Sequence, residues 1–258
     1  MLKYVDSTKM GRGQHGWLDS HFHFSFAEYH NPRNIQFGVL RVLNDDIVQP
    51  GTGFETHPHK NMEIISYVVQ GELSHKDSMG NQHTLARGQV QYMSAGTGVL
   101  HSEHNWGSGP LRFIQMWILP DKNGYDPAYG DHRFQWEDRV DAWLPIATGY
   151  EGAGGADGTA ASTAAPAAAA STAAAASAPI KIHADVNVFA AFLPQGNTID
   201  LKVAQGRQAY LVLLEGQATV NNIKLNMRDA LEITQEDVTI TATQDSHLYA
   251  IEMQHPQS

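Results

Sequence analysis

The chain has 258 residues, 17 Lys+Arg against 27 Asp+Glu for a formal charge of −10, 14 His and no Cys. Without cysteine there is no disulfide framework, thiolate metal site or cysteine nucleophile, and a charge of −10 argues against phosphate-backbone binding, which needs a basic surface. With 17% charged residues, 23 Gly and 11 Pro, the chain is neither a coiled coil nor a charged disordered polymer. The amino terminus, Met1-Leu2-Lys3-Tyr4-Val5-Asp6, lacks the apolar run of a signal peptide, so a cytoplasmic location is expected. The Ala-rich tract around 160–178 is broken by Ser, Thr and Pro and is not read as a membrane span.

Taken in order, residues 37–43, 63–69, 89–93 and 111–118 are short runs rich in β-branched and aromatic side chains. Turn signals at Gln70-Gly71, Met79-Gly80-Asn81 and Arg87-Gly88 separate them. Residues 151–179 form a linker or insertion of Ala, Gly, Ser and Thr; alanine's helix propensity leaves a short helix over 167–176 as the alternative. Beyond it, strands are expected over 186–192, 208–214, 218–220 and 238–243, with a turn at Glu215-Gly216. Many short strands and few helical patterns indicate an all-β sandwich or barrel. The two halves also read as weak internal copies: residues 66–73 parallel residues 211–218, each a strand, a turn at Gly and a second strand.

The histidines cluster in two segments, Gly51–Glu63 and Ser94–Asn105. Residues i and i+2 of a strand share a face, so His57 and His59 project together, as do His101 and Glu103. If the two strands are neighbours inside a barrel, four ligand atoms converge. Neutral imidazoles and one carboxylate without sulfur suit a divalent transition metal. One His-x-His alone would be weak evidence, since His21-x-His23 is another; the second His-x-Glu behind Gly-rich turns strengthens it. By the same alternation His104 faces away.

The spacings Gly51-x5-His57-x-His59-x3-Glu63-x7-Gly71 and Gly88-x5-Ser94-x-Gly96-x4-His101-x3-Asn105 resemble the two cupin motifs. With His15–Ser20, Leu40–Asp46, His57-Pro58-His59, Asp77–Asn81 and Met93–Gly98, residues 10–135 resemble the pirin family of bicupins. That resemblance implies two β-barrel domains, a metal-binding cupin over 1–150 and a degenerate cupin over 180–258. It implies one divalent transition metal, Fe(II) first, with Cu, Ni, Mn, Co or Zn also admissible, on His57, His59, His101 and Glu103. In many cupins the acid belongs to the first motif, which makes Glu63 the alternative to Glu103. The implied activity is that of quercetin 2,3-dioxygenase, opening a flavonol ring with O2 and releasing carbon monoxide, with Glu103 as both ligand and general base. Phe54, Met93 and Met116 are candidates to line the substrate cavity, with core packing as their alternative role. Two other readings accompany it: a metal-dependent redox-sensing regulator that binds a protein partner, and a structural or hydrolytic zinc cupin. In the second half Lys202 and Ala204 fall where His57 and His59 stand, and His247 lies within a residue of the third-ligand position, so no metal is expected there.

Overall fold

A computed structural model describes residues 1–150 and 178–256. The expected linker and its alternative helix lie outside the described residues, except for Ala178 and Pro179. Among the described residues, regular structure is β-strand apart from two 3-10 turns, Ser7–Lys9 and Trp136–Arg139. Among the described residues no helix is long and apolar enough to cross a membrane. The chain is all-β and divides into two compact units, Met10–Phe134 and Met1–Lys9 with Gln135–Ser258.

The chain opens with β1 (Leu2–Val5), which belongs to the second unit. The first unit holds β2 (Gly11–Gln14), β3 (Leu18–Phe22), β4 (Leu40–Val48), β5 (Thr52–His59), β6 (Glu63–Gln70), β7 (Glu72–Asp77), β8 (Gln82–Ala86), β9 (Val90–Ser94), β10 (Val99–Asn105), β11 (Leu111–Ile118) and β12 (Ala128–His132). They form a seven-stranded sheet ordered β12-β9-β6-β11-β4-β3-β2 and a four-stranded sheet ordered β5-β10-β7-β8. Leu18, Val48, Val68, Leu111 and Phe113 of the larger sheet pack with Leu73 and Leu85 of the smaller one, so the apolar faces close on each other as a cupin barrel.

The second unit adds β13 (Leu144–Gly149), β14 (Ile180–Ile182), β15 (Val186–Leu193), β16 (Thr198–Leu201), β17 (Arg207–Glu215), β18 (Gln217–Val220), β19 (Ile223–Asn226), β20 (Ala230–Thr234), β21 (Val238–Ala242) and β22 (Ser246–Gln254). Its sheets run β1-β20-β17-β22-β15-β13-β14 and β16-β21-β18-β19, seven and four strands as in the first unit, with β14 parallel to β13 where β2 is antiparallel to β3. The turns aligned from sequence are equivalent. Gly71 joins β6 to β7 and Gly216 joins β17 to β18, with φ of 79° and 86°. A Cβ there would stand 2.7 Å from the Pro110 carbonyl oxygen and 2.0 Å from that of Asp245, so both turns require glycine.

The division at residue 150 is corrected. Leu2 pairs with Ile233 on β20, and β13 pairs with β15 and β14, so both flanks of the first unit belong to the second barrel. The first barrel ends at Phe134. A short strand's alternation gives its buried face but not the sheet edge it joins, which here lies over two hundred positions away.

Candidate metal centre

Strand β10 lies between β5 and β7 and alternates strictly: Val99, His101, Glu103 and Asn105 are buried, while Leu100, Ser102 and His104 are not. Its partner β5 does not alternate. His101 pairs with His57 but Glu103 pairs with Phe54, so Glu55 and Thr56 bulge out and are both exposed. The bulge inverts the phase of β5, and Phe54, His57 and His59 then share the inner face. The Glu55 carbonyl on the bulge can only accept, so the 2.7 Å contact makes His57 Nδ1 the donor and leaves Nε2 unprotonated.

The three histidines come together. Their ring centroids are 4.5–4.8 Å apart, and one ligand atom from each lies within 4.8 Å of the others. His57 Nε2 and His101 Nε2 are 3.0 Å apart. Two nitrogens about 2.1 Å from one ion and at right angles would stand about 3 Å apart. His59 Nε2 is buried without a partner. Burial and the neighbouring imidazoles depress His59 to about 4 and His101 to about 3, so both are neutral at pH 7. The donor chemistry, the close nitrogen pair and the orphaned nitrogen fit a divalent metal.

Glu103, 1% exposed, shares His101 with this cluster but is not grouped with His57 and His59. Its Oε1 accepts from Ser66 Oγ at 3.0 Å and Gln91 Nε2 at 2.6 Å; its Oε2 accepts from Gln115 Nε2 at 2.6 Å. Trp117 Nε1 donates to Gln115 Oε1, which fixes the amide with its NH2 toward Glu103. The clamp opposes a swing of Glu103 and leaves Oε2 with the spare acceptor capacity. Glu103 groups within 4.8 Å with His101 and His75. Sequence reasoning missed His75: its Nε2 donates to Asp77 Oδ2 and its buried Nδ1 has no partner. The signal was the His75-x-Asp77 alternation, but which strand β7 adjoins is not local information. Glu63 is held by Tyr92 Oη at 2.8 Å and Ser94 Oγ at 2.6 Å on β9 and is absent from both histidine groups. His104 faces outward, stacked on Trp106 at 4.7 Å and paired with Glu55.

A cavity of about 700 Å³ opens beside the cluster, lined by His57, His59 and Glu103 together with Trp17, Phe22, Phe26, Phe54, Asn44, Asp46 and Trp117. Trp17 meets Phe54, and Phe26 meets Trp117, edge to face at 5.2 and 5.4 Å. Phe54 therefore lines the cavity as expected. Met93 and Met116 do not: both are core residues, 2% and 0% exposed, and tryptophan and phenylalanine from β3, β11 and the loops take that place.

Gly53 sets the spacing of β5 from β10. A Cβ there would lie 2.3 Å from the Glu103 carbonyl oxygen and 2.5 Å from His104 Cα. Gly53→Ala should force the strands apart at the bulge and lower stability by about 1–3 kcal/mol. Urea unfolding checks this, and metal titration should show weaker binding in the same variant.

The family model described as Pirin matches residues 5–118, and that described as Quercetinase C-terminal cupin domain matches residues 169–253. A "Pirin-like protein" of Caulobacter vibrioides is 37% identical over 253 residues, 98% of this chain and 99% of the relative. The chain belongs to the pirin family. "Quercetin 2,3-dioxygenase" of Escherichia coli K12 is 34% identical over 255 residues, 98% of this pirin and 99% of that relative. The crystal structure of the bacterial pirin YhhW of Escherichia coli in complex with nickel(II) superposes with a TM-score of 0.83 at 32% identity, covering 99% of this chain and 100% of that one.

The second barrel of this pirin brings no such cluster together among the described residues. Lys202 pairs with Asp237 at 3.3 Å, and Ala204 is exposed. The placement of His247 is corrected. It lies on β22, the counterpart of β11 rather than of β10, and its Nδ1 donates to Glu215. The counterpart of β10 is β21, whose residues Val238–Ala242 hold no metal-binding side chain.

Proposed function

We propose that this pirin is a metal-dependent dioxygenase that opens a ring of a flavonol-like aromatic with O2. The observation that carries the reading is the convergence of His57, His59 and His101 beside an aromatic cavity whose wall includes His57 and His59, in a family whose members include proteins named quercetin 2,3-dioxygenase. His57, His59, His101 and Glu103 would hold one divalent transition metal, with Fe(II) first and nickel admitted by the related complex. When bound, such an ion supplies Lewis acidity toward a substrate hydroxyl and redox chemistry with O2.

The chain's own residues supply the rest. Trp17, Phe22, Phe54 and Trp117 hold a planar substrate and exclude water. Glu103 accepts the proton of a substrate hydroxyl at Oε2, the oxygen with one donor rather than two. Gln115, itself set by Trp117, keeps that oxygen aimed.

Metal-reconstituted protein incubated with quercetin in air is expected to bleach the flavonol absorbance and release carbon monoxide. Rates no greater than those of the free metal ion would overturn the reading.

A further inference from the structure

The cavity wall on β4 carries two hydrogen-bond acceptors that nothing in the protein satisfies. Successive residues of this strand point to opposite faces. Asp45 meets Arg112, which grips it with Nε at 2.8 Å and Nη2 at 2.6 Å. Asn44 and Asp46 take the other face and line the cavity. Each is 3% exposed. Asn44 Oδ1 and Asp46 Oδ1 are buried and have no hydrogen-bond partner, while the other side of the Asp46 carboxyl is met by Ser20. Buried polar atoms without partners are uncommon because each forfeits its hydration. Two of them, on residues two positions apart that line one cavity, are positioned for a ligand that draws them into contact.

We infer that Asn44 and Asp46 form a recognition edge for donor groups of the substrate, which is an aromatic bearing at least two free hydroxyl or N–H groups along one side. Acceptors dominate this wall, since Glu103 adds a third carboxyl or amide oxygen beside Gln115. An anionic substrate edge would be repelled there, and an O-alkylated one would leave both acceptors dry. The ring faces lie against Trp17, Phe22 and Phe54. The inference rests on the reading of this cavity as the substrate site and refines its chemistry. Asn44 and Asp46 are specificity residues that contact the substrate beside Glu103 and are not themselves among the proposed metal ligands.

The test is an anaerobic fluorescence titration of metal-loaded protein with quercetin and with its penta-O-methyl ether, for wild type, Asn44→Leu, Asp46→Leu and Asp46→Asn. Metal content and thermal midpoint are measured on each sample. Because the ether also removes hydroxyls that could reach the metal, the readout is the change in the quercetin-to-ether affinity ratio among variants with full metal content. The ratio is expected to fall about tenfold in Asp46→Leu and Asn44→Leu, with affinity for the ether unchanged or higher. Asp46→Asn keeps one acceptor and should fall between; it also serves if the leucine variant fails to fold. An unchanged ratio in Asn44→Leu and Asp46→Asn, at full metal content, overturns the inference. Failure of the proposed reaction is separable from this outcome. A wild type that discriminates through these residues but leaves quercetin intact in air supports the recognition edge and sinks the dioxygenase reading. Variants that consume quercetin with wild-type KM do the reverse.

Discussion

His101→Ala should leave a folded protein that retains no stoichiometric divalent metal after dialysis and turns over flavonol at least about 100-fold more slowly, since changes in the outer sphere alone cost 10–100-fold. Elemental analysis and the aerobic flavonol assay check the two halves. The expectation is largest at this residue because His101 belongs to both ligand groups, with His57 and His59 on one side and with His75 and Glu103 on the other. Its ring is 1% exposed and its Nε2 faces His57 Nε2 at 3.0 Å. Removing it opens a void but also removes a strongly desolvated imidazole, so the fold should survive. Glu103→Gln is the gentler companion. It places an NH2 group against the amide donor of either Gln91 or Gln115, which breaks one arm of the clamp without changing shape. Full metal occupancy in His101→Ala would refute the assignment of this cluster as the metal centre.

The three histidines were legible because their chemistry is local: His57-x-His59 and His101-x-Glu103 each place two donors on one strand face. What brings the two strands into phase was not legible. The bulge at Glu55 and Thr56 depends on how β5 registers against β10, and neither residue is of a type that marks a bulge. His75, Asn44 and Asp46 escaped notice for a related reason. They reach the site from β7 and β4, through pairings that separate His75 from Glu103 by twenty-eight positions and set Asp46 opposite Phe113. The cavity lining was half legible. Phe54 lies on the histidine strand and shares its phase, whereas Met93 and Met116 lie on strands buried on both faces, where alternation says nothing about which face meets the cavity. The repeat in the second half was visible at Gly71 and Gly216, but the counting from that turn to His247 overran β21, and only the pairing of β22 with β17 and β15 puts the residue in its strand.

Asp46→Asn should stabilise the metal-free protein, and the gain should depend on pH in a direction the burial dictates. Burial, opposed by the Ser20 hydroxyl and reinforced by the charges of Asp45 and Glu103, raises the Asp46 carboxyl from 3.8 to about 7. A group raised on folding contributes its stability below its unfolded value and loses it as pH rises through the folded one. Between about pH 4 and pH 7 the folded state holds a proton that the unfolded chain has released, so ionisation increasingly favours unfolding. The asparagine variant does not titrate. Its advantage is therefore near zero at about pH 4, grows through the window, and levels off above about pH 7 at roughly 4 kcal/mol, an upper figure from about 1.4 kcal/mol per unit. Urea unfolding of wild type and variant at about pH 5 and about pH 8, in the presence of chelator, measures it. An advantage that is equal at both values would mean that the carboxyl is ionised throughout and its environment is more polar than the structure describes. Packing does not explain a carboxyl that destabilises the metal-free protein in this way, and what sets Asp46 apart is a buried Oδ1 without a hydrogen-bond partner on a residue that lines the cavity.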